Sequence, residues 1–384
     1  MKKILPLLLC ALLLFSAAAR AEEYPGYMLH LGIGFQVRTS FVYPMDKHNA
    51  LIMYFAVHPE EEPSHIAWYR DGEKIRELPF YQGGATGALR GLEPVRMPDG
   101  SYRFQVIMGA STGEKDPKTG EEIIRPRCLL FDWTDEGLND AIEIPVEAGM
   151  RVFHSGSFIV TYKSSPDADL FLNLYRPDGA WLLTGSVPGT QGGVLEAVTE
   201  LENGVYLLTT NLGQLICLEN GSIRWQLKSP GKPFPDGLGG FYTYANGSGM
   251  DYGPATLFHY NGDGQMDGVK HLSGNRVIVT IEDIMADPAT GHTTVYGSAV
   301  ANSRKIYTVF ALTLDEHMDA MKTDVRGLSK LFGDYYPRLN LSPAGAAWVF
   351  TDDSQRSATQ TCDSALVPFD KLPAATDNVG LKLE

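Results

Sequence analysis

Residues 213–225 read GQLICLENGSIRW and combine the two signals that decide the fold. An apolar run ends in a turn at Asn220 and Gly221, and a second short strand then leads to Trp225. Asn-Gly turns suit two-residue β-hairpins because both positions accept a positive φ. The stretch therefore predicts a tight antiparallel hairpin with a tryptophan on its second strand.

Two landmarks of this kind alternate along the chain. The first is a turn followed by alternating apolar residues, and the second is a strand that ends in its own acidic or Asn turn. Copies of the first begin at Asp99-Gly100, Ser155-Gly156, Asn203-Gly204 and Ser273-Gly274, with weaker copies at Asn49-Ala50 and Ala344-Gly345. Copies of the second end at Asp71-Gly72, Gly137, Asp178-Gly179 and Asn220-Gly221, with degenerate copies at Asp315 and Asp370. Six units of about 60 residues fit the chain, which indicates a repeat architecture.

The repeat predicts an all-β fold, a β-propeller of about six blades. Two insertions, at 109–122 and 285–292, account for units longer than an ordinary blade. A multi-sheet β-sandwich is the alternative, because short strands with frequent turns occur in both architectures. A strand within residues 28–43 precedes the first unit and is expected to complete the last blade. One short extra helix is predicted in 315–332, where Met318, Met321, Val325, Leu328 and Leu331 recur at helical spacing.

The unit at 213–225 resembles the blade repeat of propellers of the pyrroloquinoline quinone type. That repeat has a Gly, an apolar strand that reaches a Leu-acid pair, a turn Gly and a Trp four residues later. The resemblance implies that Trp225 packs between blades. Asp178-Gly179-Ala180-Trp181 is a looser match. No quinone cofactor is expected, because the quinone enzymes of this family carry adjacent cysteines and this chain has none.

Composition and net charge limit the classes of ligand that the chain is expected to bind. The chain is 44% hydrophobic and 20% charged, which is typical of a folded protein. Its net charge of -14 argues against nucleic acid, which attracts basic surfaces. No later segment is long and apolar enough to cross a membrane. We expect a monomer that binds a protein or polysaccharide ligand, and buried, unpaired cysteines.

Residues 1–21 read as a signal peptide. A basic start is followed by an apolar stretch shorter than a membrane span and by a small-x-small site that ends at Ala21. The mature chain is expected to begin at Glu22 as a single propeller-like domain, residues 22–384. This leader predicts a secreted or periplasmic protein.

The sharpest site signal is the run FHYNGDGQMDG at 258–268. Oxygen ligands at alternate positions around a glycine suit calcium. The run resembles the calcium loops of integrin-type (FG-GAP) propeller repeats. The resemblance assigns the metal ligands to Asn261, Asp263, Gln265 (through its carbonyl) and Asp267. His259 replaces the first Asp of the motif, so Asp251 is a candidate substitute, and an ordinary hairpin turn is the alternative.

No catalytic residue is assigned. Gly109 to Gly113 fits the pattern G-x-S-x-G around Ser111, but no helix follows it, as a nucleophile elbow requires. A set of aromatic residues is a candidate lining for a sugar-binding funnel, although most aromatics in a propeller belong to its core. The set is Trp68, Tyr69, Trp133, Tyr242, Tyr244, Tyr335 and Tyr336.

The best candidate for a functional loop is 234–253, which is rich in Gly and Tyr and is expected to lie between two blades. These observations favour an exported, non-enzymatic binding or scaffold propeller of the bacterial envelope or extracellular space. A carbohydrate-active hydrolase that uses loop carboxylates is the alternative.

Overall fold

The protein was analysed as a computed structural model. The structure describes residues 27–30, 37–56, 64–71, 73–80, 89–96, 102–134, 137–155, 158–228, 231–247, 253–301, 306–328, 338–341, 347–352, 363–376 and 378–384. The leader, Asp251, Tyr335 and Tyr336 lie outside these residues. No helix within the described ranges has the length and apolar character of a membrane span.

Among the described residues the strands form seven antiparallel sheets, here called blades 1 to 7. Blade 1 contains β2 (Val37–Pro44), β3 (Asn49–Ala56), β4 (Ser64–Arg70) and β5 (Glu73–Phe80). Blade 2 contains β6 (Leu89–Arg96), β7 (Tyr102–Lys115), β8 (Glu122–Thr134) and β9 (Gly137–Ile144). Blade 3 contains β10 (Arg151–Ser155), β11 (Phe158–Ser165), β12 (Ala168–Tyr175) and β13 (Trp181–Val187). Blade 4 contains β14 (Leu195–Glu202), β15 (Val205–Thr210), β16 (Gln214–Glu219) and β17 (Ser222–Lys228).

The last three blades include strands from distant parts of the chain. Blade 5 contains β18 (Phe234–Pro235), β19 (Phe241–Ala245), β20 (Ala255–Tyr260), β21 (Met266–Ser273) and β29 (Lys382–Leu383). Blade 6 contains β22 (Ile278–Asp287), β23 (His292–Ala301), β24 (Ile306–Leu314) and β25 (Ala320–Gly327). Blade 7 contains β26 (Arg338–Leu341), β27 (Ala347–Asp352), β28 (Asp363–Pro368) and β1 (Tyr27–His30).

The blades follow one another around a ring. The first strands of blades 3 to 7 contact each other in chain order, β26 contacts β2 of blade 1, and β8 of blade 2 contacts β10. In blades 1 and 3 to 7 the first strand is therefore the innermost strand. The all-β propeller prediction is confirmed, and seven blades among the described residues are close to the six expected.

Two strands far apart in the chain close the ring. Strand β1 pairs antiparallel with β28, from Tyr27 opposite Leu366 to His30 opposite Asp363. This confirms the prediction that an early strand completes the last blade. The end of the chain also adds β29 to the outer edge of blade 5, where Leu383 lies opposite Leu272.

The hydrophobic core lies in the seams where the faces of neighbouring blades meet. In blade 4, β15 is buried at every position, whereas the outer strand β17 alternates exposed and partly buried residues. One core cluster joins blades 3 and 4, another joins blades 4 and 5, and a third joins blades 5 and 6. Blades 4 and 5 are therefore stabilised by apolar residues on both of their faces.

The short helix predicted in 315–332 is wrong, since this stretch contains a turn and the strand β25. The Oδ1 atom of Asp315 accepts the backbone N–H groups of His317 and Asp319, and Met318 has a φ of 62°. These contacts fix a turn, and β25 then pairs with β24. The described helical residues are Phe369–Lys371, a single 3-10 turn.

The loop predicted between two blades at 234–253 is also placed differently. Its first half supplies β18 and β19, so it belongs inside blade 5. The Ser273-Gly274 landmark joins blade 5 to blade 6. The sequence indicates six units and not seven because β18 has only two residues and carries no periodic signal.

Candidate functional site

The run predicted to bind calcium forms the turn between β20 and β21 at one end of blade 5. The Oδ1 atom of Asn261 accepts the backbone N–H groups of Asp263 and Gln265, both at 3.0 Å. The N–H of Gly264, which has a φ of 74°, donates to the carbonyl of Asn261 at 2.9 Å. The Asn261 side chain therefore stabilises the turn by accepting hydrogen bonds from backbone N–H groups of the same turn.

The two carboxylates of the predicted calcium set each have a basic partner. A side-chain oxygen of Asp263 lies 2.6 Å from Nη2 of Arg224, on the outer strand of blade 4. A side-chain oxygen of Asp267 lies 2.6 Å from Nδ1 of His259. The structure thus gathers the four predicted ligands in one turn and binds both acids to neighbouring side chains. Calcium binding by this turn stays a prediction.

Trp225 packs in the seam between blades 4 and 5, as the resemblance implied. Its ring stacks on Phe241, with 5.8 Å between the centroids and an interplanar angle of 15°. Its Nε1–H donates to the carbonyl of Gly262 at 2.9 Å. A Cβ atom at Gly264 would lie 2.9 Å from the Trp225 ring. The glycines of the turn therefore let its backbone approach the ring closely.

His259 stands between two carboxylates and contacts both of them. Its Nε2 lies 3.1 Å from Oδ2 of Asp236, and its Nδ1 lies 2.6 Å from Oδ1 of Asp267. Tyr242 packs against the imidazole, with 4.7 Å between the ring centroids. The histidine joins the β18–β19 turn, which carries Asp236, to the start of β21.

Asp236 is held from two sides. Its Oδ1 accepts the backbone N–H groups of Leu238 at 2.6 Å and Gly240 at 2.9 Å, while its Oδ2 faces His259. Burial raises the pKa of Asp236, but the hydrogen bonds from His259 and the two backbone groups outweigh burial, so the pKa lies below its ordinary value. Asp236 is therefore a buried carboxylate that stays ionised.

The same contacts control the charge of His259. Burial lowers the pKa of His259, but the hydrogen bonds to Asp236 and Asp267 and their negative charges outweigh burial and raise the pKa above its ordinary value. Both ring nitrogens face carboxylate oxygens. The imidazolium form can donate to both acids at once.

A second polar group lies on the inner strand of blade 6. Asp283 sits at a register irregularity in β22, and its Oδ1 accepts the backbone N–H of Ile284 at 2.9 Å. Burial raises the pKa of Asp283, while the charge of Lys232 and the Ile284 hydrogen bond oppose the rise. Burial, with Asp283 and Glu282 nearby, raises the pKa of Tyr244 to about 12. Burial therefore favours the protonated form of both Asp283 and Tyr244.

A side chain of blade 5 anchors this region. The Oδ1 atom of Asn246 accepts the backbone N–H of Ile281 at 2.8 Å, and its Nδ2 donates to the Ile281 carbonyl at 2.9 Å. The Tyr244 hydroxyl donates to the Glu282 carbonyl at 3.1 Å. The described start of the Gly- and Tyr-rich segment is thus fixed to the inner strand of the next blade.

The other sequence candidates have structural places. Tyr242 and Tyr244 pack into or against the core cluster that joins blades 5 and 6. Ser111 lies within β7 opposite Ile124, so it is not at a nucleophile elbow. Cys128 and Cys217 are buried thiols, and burial raises the pKa of Cys217 to about 11.

Sequence reasoning missed Asp236 and Asp283 as polar members of these clusters. Asp236 was detectable in part, because Asp236-Gly237 is the kind of turn that begins other hairpins of the chain. Asp283 gave no signal, since it stands in an alternating strand whose inward position depends on a register shift. Within the described ranges, no group of three or more His, Cys, Asp and Glu side chains is arranged to hold a metal ion.

Comparisons with known proteins give distant structural likeness. No family model matches the chain, and no curated protein matches it. YCF48 from Cyanidioschyzon merolae is 11% identical, with 90% of this chain and 99% of that chain covered and a TM-score of 0.47. YCF48 bound to a D1 peptide is 11% identical, with 89% and 95% covered and a TM-score of 0.45. A candidate 6-phosphogluconolactonase from Bacteroides fragilis is 17% identical, with 94% and 98% covered and a TM-score of 0.41. No residue role is carried over from these proteins.

Proposed function

We propose that the protein is an exported, non-enzymatic binding or scaffold propeller of the bacterial envelope or extracellular space. The leader at residues 1–21 supports export, with Glu22 as the first residue of the mature chain. The acidic balance supports a protein or polysaccharide ligand over nucleic acid. The protein acts as a monomer in this proposal.

The proposal rests on the contacts that the clustered charged side chains of blade 5 make with other protein groups. His259 contacts Asp236 and Asp267, and Asp263 contacts Arg224 of blade 4. These groups connect turns and blades to one another. They support a rigid platform, because each of them contacts a neighbouring protein group.

A hydrolase is the second candidate, and Asp283 is the observation that favours it. A general acid needs a raised pKa, and burial raises the pKa of Asp283. Glu282 is next to it in β22, so two carboxyl groups stand on one inner strand. Glu282 is already engaged, because its Oε2 accepts the backbone N–H of Leu339 at 2.6 Å.

A polysaccharide panel with two readouts separates the candidates. Retention on each polysaccharide measures binding, and release of reducing ends measures hydrolysis. Binding without release, or specific capture of an envelope protein by the purified chain, is the expected result. Release of reducing ends that disappears in Asp283→Asn, with the melting temperature kept, would replace the proposal with the hydrolase.

A further inference from the structure

Blade 3 exposes two large aromatic side chains on one face. Trp181 is 59% exposed and Phe171 is 37% exposed. Register places Phe171 opposite Ser186, Asn173 opposite Thr184 and Tyr175 opposite Trp181. Because alternate residues of a strand share a face, these six residues form one surface of β12 and β13, here called the open face.

The next blade shows that this exposure is not required by the fold. The last two strands of blades 3 and 4 each contain one bulge, and equivalent positions can be found by counting from it. By this count, Asn173 and Tyr175 of the open face correspond to Ile216 and Leu218 of blade 4. Ile216 is 0% exposed and Leu218 is 3% exposed, because blade 3 covers them in the shared core cluster. In blade 3 the corresponding Tyr175 packs against the core cluster shared with blade 2, whereas Phe171, Trp181, Thr184 and Ser186 reach solvent.

The polar residues of the open face form a hydrogen-bonded row. The Nδ2 atom of Asn173 donates to Oγ1 of Thr161 at 3.1 Å, and the Thr184 hydroxyl donates to Oδ1 of Asn173. This row fixes the side chains before any ligand arrives. The Thr184 oxygen keeps acceptor capacity, and Ser186 is exposed beside it.

The two aromatic residues lie at opposite ends of this row. Phe171 and Tyr175, the partner of Trp181, are four residues apart, which corresponds to about 13 Å along a strand. Sugar rings have C–H faces that pack on aromatic rings and hydroxyl edges that meet amides and hydroxyls. An extended saccharide of more than one ring matches the order aromatic, polar, aromatic.

Charge indicates which kind of saccharide fits. The six residues of the open face are uncharged, whereas the chain has a net charge of -14. Lys163, opposite Phe171 on the same face, and Asp169, two residues before Phe171, carry opposite charges, so the face offers no net charge to an ionic partner. An acidic polysaccharide would also be repelled by the chain as a whole. An uncharged ligand with many hydroxyl groups complements the surface.

We propose that the open face of blade 3 binds a neutral polysaccharide, with its sugar rings stacked on Trp181 and Phe171. The inference rests on the proposed binding function and assigns the ligand class and the site. The Thr184 oxygen, as an acceptor, and the Ser186 hydroxyl hydrogen-bond the sugar between the two stacking positions. Trp181 supplies most of the affinity, because it is the larger and more exposed ring.

Affinity gel electrophoresis of the full chain with soluble hydroxyethyl cellulose, galactomannan and laminarin tests the site. We expect at least one of them to retard the wild type. Trp181→Ala should weaken that binding about tenfold or more, as expected for a Trp anchor, and Phe171→Ala should weaken it less. Trp181→Phe should keep most of the binding because it keeps a stacking ring.

Leu212→Ala is the matched control, since Leu212 is 50% exposed but lies outside the open face, in a turn of blade 4. Its binding should equal that of the wild type, and all variants should keep the wild-type melting temperature. Retardation that Trp181→Ala and Phe171→Ala leave unchanged would overturn the site while the binding function stands. Failure of every neutral polysaccharide to bind would overturn the ligand class. Capture of a protein by a cross-linker placed at position 184 would overturn it as well.

Discussion

Trp225 and Trp181 both follow the last turn of a blade, but they occupy opposite faces. Each blade has a bulge at this point, and past it Trp225 pairs with Cys217 while Leu183 pairs with Leu174. Trp225 therefore corresponds to Leu183 and faces the next blade. Trp181 corresponds to Ile223 and faces the preceding blade.

The two positions differ in what covers them. Trp225 stacks on Phe241 and donates to the Gly262 carbonyl across the seam, whereas Trp181 is 59% exposed. The bulge that lies between the two positions thus separates a tryptophan that holds blades together from one that is available to a ligand. The position of a Trp in a blade repeat therefore indicates which face it occupies only when the register of its strand is known.

Truncation of the two tryptophans should give the largest contrast. Trp225→Ala removes the stacking and leaves the Gly262 carbonyl without its donor, so we expect a loss of about 3 kcal/mol in the free energy of unfolding. Trp181→Ala should change it by less than about 0.5 kcal/mol. Urea denaturation followed by circular dichroism measures both. Equal losses in the two variants would refute the assignment of the two faces.

A glycine substitution tests the close approach to Trp225. Gly264→Ala adds a Cβ atom 2.9 Å from the ring at a φ of 74°, so strain and overlap together should cost about 2 kcal/mol. Gly204→Ala is the control, since Gly204 has a φ of 81° and open space around the added atom, and strain alone should cost about 1 kcal/mol. A smaller loss at Gly264 than at Gly204 in urea denaturation would contradict the packing.

The sequence predicted the features that depend on local signals. The Asn220-Gly221 turn, with φ values of 51° and 77°, and the packing of Trp225 follow from residue types at fixed spacing. The helix in 315–332 failed because Asp315 fixes a turn through its own backbone contacts, which a periodicity count does not include. The His259 bridge was not foreseeable, because Asp236 and Asp267 reach it from strands whose pairing only the fold determines.

The pH dependence of stability tests the contacts of His259 with Asp236 and Asp267, which lie beside the same turn of blade 5. The folded-state pKa of His259 is raised, so its stabilisation is fully present below the unfolded value of about 6.5 and is lost as pH rises through the folded value. Asp236 has a lowered pKa, so its contribution is lost as pH falls through its folded value.

His259→Gln should remove the alkaline loss, because glutamine does not titrate. Melting temperatures measured between pH 5 and pH 9, roughly the range in which histidine titrates, show the change. The wild type should lose stability across this range more than the variant does. His317→Gln is the control, because His317 is 77% exposed and lies outside the bridge. Identical slopes in wild type and His259→Gln would exclude the bridge as a source of stability.

Calcium should have the smallest effect, since Asp263 already contacts Arg224 and Asp267 already contacts His259. At calcium tenfold above Kd, binding to the folded state alone adds about 1.4 kcal/mol, a rise of a few degrees in the melting temperature. Asp263→Ala should abolish this rise, and His259→Asp should strengthen it by supplying the carboxylate that the motif lacks. A melting temperature unaffected by chelator and by excess calcium would leave an ordinary turn.

The pairing of β1 with β28 has a kinetic consequence. Tyr27 meets Leu366, so blade 7 joins two segments that are separated by every other blade. Loops of this length close slowly, and sheets made from such distant pairs form late in folding. During synthesis the first strand of the ring therefore pairs only after the last blade has been made. Until then the edge of β28 that β1 covers stays unpaired, and an unpaired strand edge is a template for pairing with other chains.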